Sequence, residues 1–317
     1  MSVLIITLNY NQNDYTIKCI QSVLESNYSD FKILLIDNGS TPENLSQLEA
    51  ALPSDDRLIF MKITANRGYV GGINFGLSEG IKFDPDYFMI MNNDVVLENT
   101  AVEALTKACL KHNNKAIVTG KVYFFDEPDK IQNIGSNYSR KNRLEFERFG
   151  RTEKDVGQYD DEAERDMLDD VFWLFHKNLY EEIGGYSTYF WFNSEQADFA
   201  LRARAINYKL IYTPTAKLWH KGSASIGGRN FNPALAYWNM QSSLILKYIH
   251  LSKKDFFVCY IHSWISVIRT FIKSIFQLFS KVNRLNYAYA KLKGLTYVNS
   301  WIFSKKQNDG RNPFIKN

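Results

Sequence analysis

The sequence predicts an α/β fold, with a mostly parallel sheet flanked by helices and a helical C-terminal extension. Over residues 1–125, apolar runs of strand length alternate with segments of helical period, which indicates βαβ units with right-handed crossovers. Polar clusters come just after the predicted strands, so their side chains should meet along one edge of the sheet. After residue 250 the chain becomes basic and aromatic.

Apolar runs define five strands in the first part of the chain: Val3–Leu8, Lys32–Ile36, Leu58–Ile63, Tyr87–Met91 and Ile117–Phe125. Helices are expected between them, because apolar side chains recur there at helical spacing. The best examples have the faces Ile17, Ile20, Val23 and Leu24, and Ile73, Leu77 and Ile81. Two later strands are expected at Val171–Phe175 and Tyr208–Pro214.

The fourth strand, Tyr87–Met91, is apolar throughout, which is typical of a strand buried on both faces. It stops at Asn92-Asn93-Asp94, so amide and carboxylate oxygens follow its carboxyl end. Open α/β sheets bind their ligands at this place. These residues alone also allow a turn into a helix with Asp94 as its N-cap.

Two further clusters favour a nucleotide at the same edge. Asp37 follows the second strand and could accept hydrogen bonds from a ribose or a base. Gly68, Gly71 and Gly72 follow the third strand and would leave backbone amides free near a helix start, which suits a diphosphate. The dinucleotide fingerprint and the P-loop pattern are both absent. A turn and helix-packing role is the alternative for these glycines.

The stretch from Asp126 to Asp169 is polar and charged, with few apolar anchors. So long a stretch inside a compact domain predicts a functional loop or a partly disordered segment. Order should return with the strand at Val171, followed by a short helix that Gly184-Gly185 ends.

A helix is expected to begin at Glu195, with Ser194 as its cap. Glu195 and Asp198 are three residues apart and therefore lie on the same side of that helix. A carboxylate here could take the proton from an attacking hydroxyl group. For Asp198 the alternative is an ordinary ion pair with Arg202, four residues further on.

The late strand leads to Trp219-His220-Lys221-Gly222-Ser223. A histidine beside a tryptophan is often structural, but Asp94 is expected on the same edge, so His220 is a candidate second metal ligand. One carboxylate, one imidazole and phosphate oxygens would suit Mg²⁺ or Mn²⁺, which would neutralise a departing diphosphate. Lys221 and Arg229 could add positive charge there.

Together these motifs resemble family 2 inverting glycosyltransferases, most closely the bacterial branch that includes rhamnosyltransferases of surface polysaccharides. The resemblance covers roughly residues 1–230 and implies a GT-A fold, a Rossmann-like domain that binds a sugar nucleotide. It rests on the motifs Thr7-Leu8-Asn9-Tyr10-Asn11, Asp37-Asn38-Gly39-Ser40, Asn66-Arg67-Gly68, Gly71-Gly72-Ile73-Asn74, Asn92-Asn93-Asp94 and the element around His220.

The resemblance also implies roles for individual residues. Donor binding is expected from Thr7, Asn9, Asp37, Asn66, Gly68, Gly72, Asn74, Asn92 and Asn93, metal binding from Asp94 and His220, and catalysis from Glu195 and Asp198. The family carries Glu-Asp-x-Asp at the catalytic helix, whereas this chain has Gln196 in place of the first aspartate. Because an amide cannot accept the proton, Glu195 or Asp198 must serve, and we favour Glu195.

The predicted domain organisation has two parts. Residues 1–230 form the GT-A domain, with the nucleotide-sugar-binding half at 1–125 and the acceptor and catalytic half at 126–230. Residues 231–317 form a helical extension that is expected to associate with a membrane. The three cysteines are scattered and no signal peptide is evident, which favours a cytoplasmic protein, peripheral on the inner face of the plasma membrane.

The overall net charge of +4 conceals an uneven distribution. Residues 251–317 contain twelve Lys or Arg and two Asp, a net charge of +10. Such a basic tail predicts an anionic surface as partner, and a membrane is favoured over nucleic acid because no RNA- or DNA-binding module is recognisable. Its charges, each costing about 3 kcal/mol in mid-bilayer, argue against a spanning helix. Interfacial helices and helices packed on the catalytic domain both remain.

The functional prediction is transfer of a sugar from a dTDP-, UDP- or GDP-linked donor to a glycan or lipid-linked acceptor, with no nucleic acid involved. One alternative is a sugar nucleotidyltransferase, which would normally have a glycine-rich loop after the first strand. The other is a catalytically degenerate scaffold of a polysaccharide assembly complex, suggested by Gln196.

Overall fold

The structure, a computed structural model, describes residues 1–222, 231–276 and 284–315. The first part of the chain alternates strands and helices: β1 (Val3–Asn9), α1 (Asn13–Leu24), β2 (Phe31–Asn38), α2 (Pro42–Ala51), β3 (Leu58–Ile63), α3 (Gly68–Gly80) and β4 (Tyr87–Met91). The middle part is richer in strands: β5 (Val95–Leu97), α4 (Ala101–Lys111), β6 (Ala116–Phe124), β7 (Ile131–Asn133), β8 (Ser136–Arg140), β9 (Glu145–Arg148) and β10 (Ala163–Glu164). The last part is β11 (Phe172–His176), α5 (Lys177–Ile183), α6 (Glu195–Ala205), β12 (Lys209–His220), α7 (Pro233–His250), α8 (Lys253–Phe276) and α9 (Arg284–Ser304).

The main sheet has the strand order β10-β12-β6-β11-β4-β1-β2-β3. Strands β3, β2, β1 and β4 are parallel, as predicted, with Ile5 opposite both Ile33 and Met89. Beyond β4 the sheet is mixed, because β11 runs antiparallel to both of its neighbours, β4 and β6. The predicted α/β class is confirmed, and β6 and β12 again point their carboxyl ends toward the same edge as β4.

The core lies on both faces of this sheet. Alternate side chains of β1 enter different clusters: Leu4 and Ile6 pack on the α3 side, and Val3 and Ile5 pack on the α1 and α4 side. Helix α3 lies very close to β1, because a methyl group at Gly72, Gly76 or Gly80 would come within 2.7 Å of Leu8, Ile6 or Leu4. The packing role considered for the glycines thus holds for Gly72.

Three sequence predictions are corrected by the fold. The residues after Asn92-Asn93-Asp94 form strand β5, so Asp94 is not a helix N-cap. The last strand runs on to His220 instead of ending at Pro214, since β12 pairs with β6 on either side of an irregularity. The stretch 126–169 is largely ordered, with β7, the β8–β9 hairpin and β10, and its Ile131, Ile134 and Leu168 are fully buried.

The C-terminal helices cover the α3 side of the sheet. Leu244 and Ile245 of α7 and Leu295 and Val298 of α9 are buried in the same hydrophobic cluster as Ile6. The helical extension therefore completes the core of the sheet domain. A boundary at residue 230 stays a prediction.

Candidate active site

The polar clusters predicted at the carboxyl ends of the strands are joined by hydrogen bonds. The side-chain amide of Asn9, at the end of β1, donates to the Asp37 carboxylate over 2.9 Å. The side-chain oxygen of Asn9 accepts from the Thr16 hydroxyl over 2.7 Å. The Asn93 amide donates to the same hydroxyl over 2.8 Å. Asp37 also accepts from the backbone and side chain of Ser40. The edges of β1, β2 and β4 thus form one preorganised polar network.

Asp94 and His220 are in direct contact at this edge. The Nε2 atom of His220 lies 3.1 Å from Oδ1 of Asp94, and both side chains are about nine-tenths buried. Two strands bring them together, because the chain after β4 returns as β5 and pairs antiparallel with β12, placing Val95 opposite His220. The backbone of Lys221 also donates to the Asp94 carbonyl over 2.9 Å.

Gln132 of β7 sets the tautomer of His220. Its Nε2 donates to the His220 carbonyl over 3.2 Å, so its Oε1 faces the ring and accepts from Nδ1 over 2.5 Å. With the hydrogen on Nδ1, the neutral ring has its lone pair on Nε2, which faces Asp94 and lies 3.4 Å from the Asn92 amide. Metal-binding histidines are usually oriented by a second hydrogen bond of this kind.

The donor set fits a divalent cation that is shared with a ligand. Among the described residues, no group of three or more His, Cys, Asp or Glu side chains could hold a metal ion by itself. Asp94 and His220 would therefore supply two ligands, and further oxygens would have to come from a bound diphosphate or water. This is the composition expected for Mg²⁺ or Mn²⁺ sites that are completed by substrate phosphates.

The turn predicted to bind the diphosphate is built around Gly68. Helix α3 begins at Gly68, whose φ of +68° is a left-handed conformation that favours glycine, and Gly68 donates to the Asn66 side chain over 2.7 Å. Asn38 holds this turn against β2 by accepting from Arg67 and donating to the Gly68 carbonyl. The indole of Trp191 covers Gly68, leaving no room for a side chain there.

Two other predicted donor residues lie deeper in the fold. Thr7 is fully buried within β1, and its hydroxyl has no hydrogen-bond partner. The Asn74 amide joins α3 to the loop after α5, donating to the Tyr186 carbonyl and accepting from the Tyr186 amide, both over 2.8 Å. Direct donor contact by Thr7 and Asn74 stays a prediction.

The turn before α6 is strained. Asn193 and Ser194 both have left-handed backbones, with φ of +66° and +69°, a conformation that costs non-glycine residues of order 1 kcal/mol or more each. The Ser194 side chain makes no capping hydrogen bond, so the predicted side-chain cap is wrong, although the helix does begin at Glu195. Such strain is typical of functional sites. Here it sets the orientation of the first turn of α6.

Glu195 is a buried carboxyl group that lies within reach of the charge of Asp170. Glu195 is 4% exposed, and its Oε2 atom has no hydrogen-bond partner. Burial, together with the nearby charge of Asp170, raises the pKa of Glu195 well above the usual range of a glutamate. Burial also raises the pKa of Asp170, although the Tyr186 hydroxyl donates to it over 2.7 Å. A carboxyl that retains its proton unusually strongly is suited to general acid–base work.

Asp170 connects Glu195 to the metal-binding edge. It directly precedes Val171, whose carbonyl accepts from the Asn92 backbone over 2.9 Å. Asp170, before β11, and Asp94, after β4, are therefore each within two residues of the hydrogen bond that joins the ends of β4 and β11.

Asp198 has a different environment from Glu195. Its two oxygens are both occupied, one by Arg202 Nε and the other by His250 Nε2, each over 2.8 Å. Arg202 continues the network to the carbonyls of Ile183 and Gly185. The ion pair considered from the sequence is thus present, and a catalytic role for Asp198 stays a prediction. Arg229, the predicted source of extra positive charge, lies outside the described residues.

The sequence analysis missed four residues of this site: Thr16, Gln132, Asp170 and Trp191. Thr16 and Gln132 carry no motif, because they act only through hydrogen bonds to residues distant in sequence. Asp170 stood at the end of a polar stretch that resembled solvated surface. A signal was present, since Asp170 stands two residues before the buried run that begins with Phe172.

Comparison with protein families gives a match that covers more than half of the chain. Residues 2–184 match the family described as Glycosyl transferase family 2. The matched segment begins with β1 and ends after α5, so it includes Asp37, Asp94 and Asp170. The helix that carries Glu195 and the strand that ends at His220 follow it.

Two curated relatives are similar in sequence to parts of this chain. The chain is 25% identical over 120 residues to the glycosyltransferase GlyG of Streptococcus pneumoniae serotype 4, covering 38% of each protein. It is 23% identical over 224 residues to the poly-beta-1,6-N-acetyl-D-glucosamine synthase of Staphylococcus aureus, covering 69% of this chain and 50% of that one. The chain thus spans half or less of the length of these relatives.

A solved structure supports the same fold class. The crystal structure of GalNAc-T7 with UDP, GalNAc and Mn²⁺ is similar with a TM-score of 0.56, over 69% of this chain and 44% of that one. The sequence identity is 11%, so this similarity concerns the fold alone. Together with the family match, it confirms the predicted α/β architecture.

Proposed function

The chain belongs to glycosyl transferase family 2, and on that premise we propose an inverting, metal-dependent enzyme that uses a nucleoside-diphosphate sugar. The acceptor is a hydroxyl group of a glycan, in the synthesis of a cell-surface polysaccharide. One observation carries the proposal. Asp94, paired with His220, follows the end of β4, and Asp170, whose charge acts on the buried carboxyl of Glu195, precedes the strand that is hydrogen-bonded to that end.

Donor binding is assigned to the edge formed by β1, β2, α3 and β4. Asp37, held by Asn9 and Ser40, would accept a hydrogen bond from the nucleoside. The amides at the start of α3 would bind the diphosphate. Asp94 and His220 would hold a divalent cation, which when bound would neutralise charge on the leaving diphosphate.

Asn74 is assigned a positioning role on the donor side of the site. Its amide is bonded in both directions to the Tyr186 backbone, so it fixes helix α3 against the loop after α5. The start of α3, where the diphosphate is expected, is thereby held in place from a second side.

Glu195 is assigned as the base. It takes the proton from the acceptor hydroxyl as that oxygen bonds to the anomeric carbon and the bond to the diphosphate breaks. Its free Oε2 and its raised pKa support this role, whereas both oxygens of Asp198 are already bonded. Asp170 acts on the same proton indirectly, through its charge next to Glu195.

The transferred sugar is assigned to the hexoses and deoxyhexoses, including rhamnose, with a dTDP, UDP or GDP carrier. A role in polysaccharide synthesis is supported by the printed function of the Staphylococcus aureus relative, a poly-beta-1,6-N-acetyl-D-glucosamine synthase. Mn²⁺ in the GalNAc-T7 structure supports a divalent ion, either Mg²⁺ or Mn²⁺.

We assign the enzyme to the cytoplasmic face of a membrane, where helix α8 would lie in the lipid surface. Six apolar side chains of α8 are between 38% and 60% exposed: Phe257, Ile261, Ile265, Ile268, Ile272 and Ile275. At 3.6 residues per turn they fall within about a quarter of the helix circumference. Arg269 and Lys273 lie beside this stripe, as expected for contact with anionic headgroups.

One helix among the described residues, Lys253–Ile275, is long and apolar enough to cross a membrane by length and composition. Its other face, however, packs Tyr260, Trp264 and Phe271 against the protein core. This one-sided burial supports an interfacial helix over a spanning one, with a lipid-linked glycan as the acceptor.

The deciding experiment is binding of a panel of nucleotide sugars to the purified full chain, with and without Mn²⁺, by isothermal titration calorimetry. We expect one donor to bind in a metal-dependent manner and Asp94→Ala to abolish that binding while the protein stays folded. Glu49→Ala is the control and should bind normally, because Glu49 is an exposed residue of α2 whose partner is Lys62. Failure of every nucleotide sugar to bind with Mn²⁺ would refute the proposal.

The alternative of a degenerate scaffold keeps one supporting observation, Gln196 in place of the family's aspartate. Activity separates the two. A scaffold would bind the donor but neither transfer nor hydrolyse it, and Glu195→Gln would change nothing. For the enzyme, Glu195→Gln should reduce kcat by about 10²-fold or more, with donor binding retained.

A further inference from the structure

A second cavity lies outside the site described above, between helices α7, α8 and α9 and the turn of the β8–β9 hairpin. Its volume is about 300 Å³, which is sufficient for a small polar group. Four of its lining residues are basic: Arg143 from the hairpin turn, Lys247 from α7, His262 from α8 and Lys291 from α9. Basic side chains from four different elements thus line the same cavity.

The positive charge of the cavity is poorly balanced. Glu145 is its one acidic lining residue, and it lies 3.9 Å from Arg140. Within residues 1–222, 231–276 and 284–315, none of Arg143, Lys247 and Lys291 forms an ion pair with a carboxylate. Three basic side chains facing a single carboxylate favour an anionic ligand.

Lys291 is the least expected of these cations. It is partly buried, and its ammonium group donates to two hydroxyls, Ser266 over 2.7 Å and Thr270 over 3.1 Å. Burial lowers its pKa, since no negative charge offsets the loss of water. A bound anion would supply the missing counter-charge and would stabilise the protonated lysine.

The cavity adjoins the catalytic helix. Asn239 lines it from α7 and accepts from the Asn193 side chain over 2.6 Å, in the strained turn directly before Glu195. Ser242, also on α7, donates to the Phe192 carbonyl over 3.0 Å. A ligand in the cavity would therefore lie on the Glu195 side of the site, where the acceptor must approach.

The cavity also adjoins the apolar stripe of α8. His262, Ser263 and Ser266 line the cavity, and at 3.6 residues per turn they lie roughly 60–160° around the helix from the stripe. A molecule with its charged group among the four basic residues could thus place a hydrocarbon chain along Ile261 and Ile265 and in the lipid phase.

We propose that this cavity binds the phosphate group of the lipid-linked acceptor, with Arg143, Lys247 and Lys291 as its cationic ligands. The assignment rests on the proposed glycosyl transfer and gives its lipid-linked acceptor a binding site for the phosphate that joins glycan and lipid. Bound there, the phosphate orients the sugar toward Glu195, and the lipid extends along α8.

The test uses the full chain and farnesyl diphosphate, a short soluble lipid diphosphate, with binding measured by isothermal titration calorimetry. We expect saturable binding that Lys247→Gln/Lys291→Gln weakens at least tenfold, since charge-assisted hydrogen bonds are lost. Lys291→Arg, which keeps the cation, should retain most of the affinity. Lys293→Gln on the same helix is the matched control and should leave it unchanged, because Lys293 lies outside the cavity.

Other probes distinguish the sources of the phosphate. Farnesol should bind more weakly than farnesyl diphosphate, and inorganic pyrophosphate should compete only at higher concentration. The lipid-linked assignment would be wrong if pyrophosphate bound as tightly as farnesyl diphosphate. It would also be wrong if phosphatidylglycerol vesicles competed with farnesyl diphosphate equally well. Equal affinities of the wild type and the double variant for farnesyl diphosphate would show that this cavity is not the binding site.

Nucleotide-sugar binding with Mn²⁺ is measured on the same proteins, so that the two proposals fail separately. If the wild type binds the donor but not farnesyl diphosphate, the further inference is wrong and the proposed function stands. If the wild type does not bind a donor, the proposed function fails. Retained donor binding by the double variant shows that it is folded.

Discussion

At the scale of single residues, the site separates two carboxylates that look equivalent in sequence. Glu195 and Asp198 share one side of a helix, yet Asp198 is saturated by Arg202 and His250 while Glu195 has a free oxygen beside another acid. The difference comes from residues far away in the chain, Asp170 and His250. Helical spacing in the sequence predicted that both carboxylates share one side of the helix. Their interaction partners could be identified only from the tertiary structure.

The first prediction concerns the pH dependence of transfer. A base acts only when deprotonated, so kcat/KM should rise with pH through the raised pKa of Glu195, above the usual range of a glutamate. Asp170→Asn removes a nearby negative charge and should therefore lower the pKa of Glu195, shifting this rise to lower pH. A pH–rate profile of both proteins measures it. An unchanged profile would remove Asp170 from the mechanism.

The second prediction concerns Gln132. Gln132→Leu leaves Nδ1 of His220 without its acceptor, so the ring is no longer held with Nε2 toward Asp94. Loss of such an orienting bond typically weakens metal binding about 10- to 100-fold. We expect this loss for Mn²⁺ titrated in the presence of nucleoside diphosphate. Gln47→Leu, on the exposed surface of α2, is the control, and equal losses in both variants would contradict the role of Gln132.

At the scale of elements, helix α6 is held by the same residues that limit the role of Asp198. Asp198 joins α6 to the end of α7 through His250 and, through Arg202, to the loop after α5. The sequence of α6 indicated the pair of Asp198 with Arg202, but not the tertiary partners of these two residues, such as His250. The contacts that fix the position of Glu195 are thus tertiary ones.

The third prediction measures that network. Asp198→Asn should lower the free energy of unfolding by about 2–4 kcal/mol, because Arg202 and His250 lose a buried anionic partner. Glu103→Gln is the matched control, since Glu103 and Lys107 form an exposed pair with the same spacing, worth about 0.5 kcal/mol at most. Urea denaturation gives both values. If Asp198→Asn instead abolished turnover without loss of stability, Asp198 would be a base after all.

The fourth prediction concerns the stripe on α8. Ile268→Ser/Ile272→Ser removes two of its exposed apolar side chains, each worth about 1–2 kcal/mol, so partitioning into phosphatidylglycerol vesicles should fall about 30- to 1,000-fold. Val156→Ser is the control, because Val156 is 76% exposed and belongs to a loop far from α8 in sequence. Sedimentation with vesicles provides the measurement. Wild-type binding by the double variant would exclude α8 as the membrane-facing element.

At the scale of the whole molecule, the first half of the fold follows from local pattern and the second half does not. Strands β1 to β4 are parallel neighbours whose apolar runs and polar ends could be read directly. The order in the 126–169 stretch depends instead on partners elsewhere. Lys121 of β6, for example, is buried and bonds Asp155 and Asp160, so acids that suggest solvent in the sequence are paired with a buried cation.

The C-terminal helices differ most from the prediction of a sheet domain with a separate extension, because they share its hydrophobic core. Trp301 and Leu295 of α9 and Leu244 of α7 are buried with Ile6 and Phe88 of the central strands. Gly294 allows the close contact between α9 and α7, since a methyl group there would lie 2.6 Å from the Tyr237 carbonyl. The extension therefore covers one of the two faces of the sheet.

The fifth prediction follows from that shared core. A chain truncated after residue 230 would expose the apolar surface that α7 and α9 cover, so it should lose cooperative thermal unfolding and aggregate where the full chain melts as one unit. Deleting 305–317 alone is the control, since it leaves α7 and α9 in place and should shift the melting temperature far less. Differential scanning calorimetry compares the three chains. A truncated protein that unfolds cooperatively and still binds nucleotide sugar would make residues 1–230 an independent domain, and α7, α8 and α9 would then serve only acceptor and membrane binding.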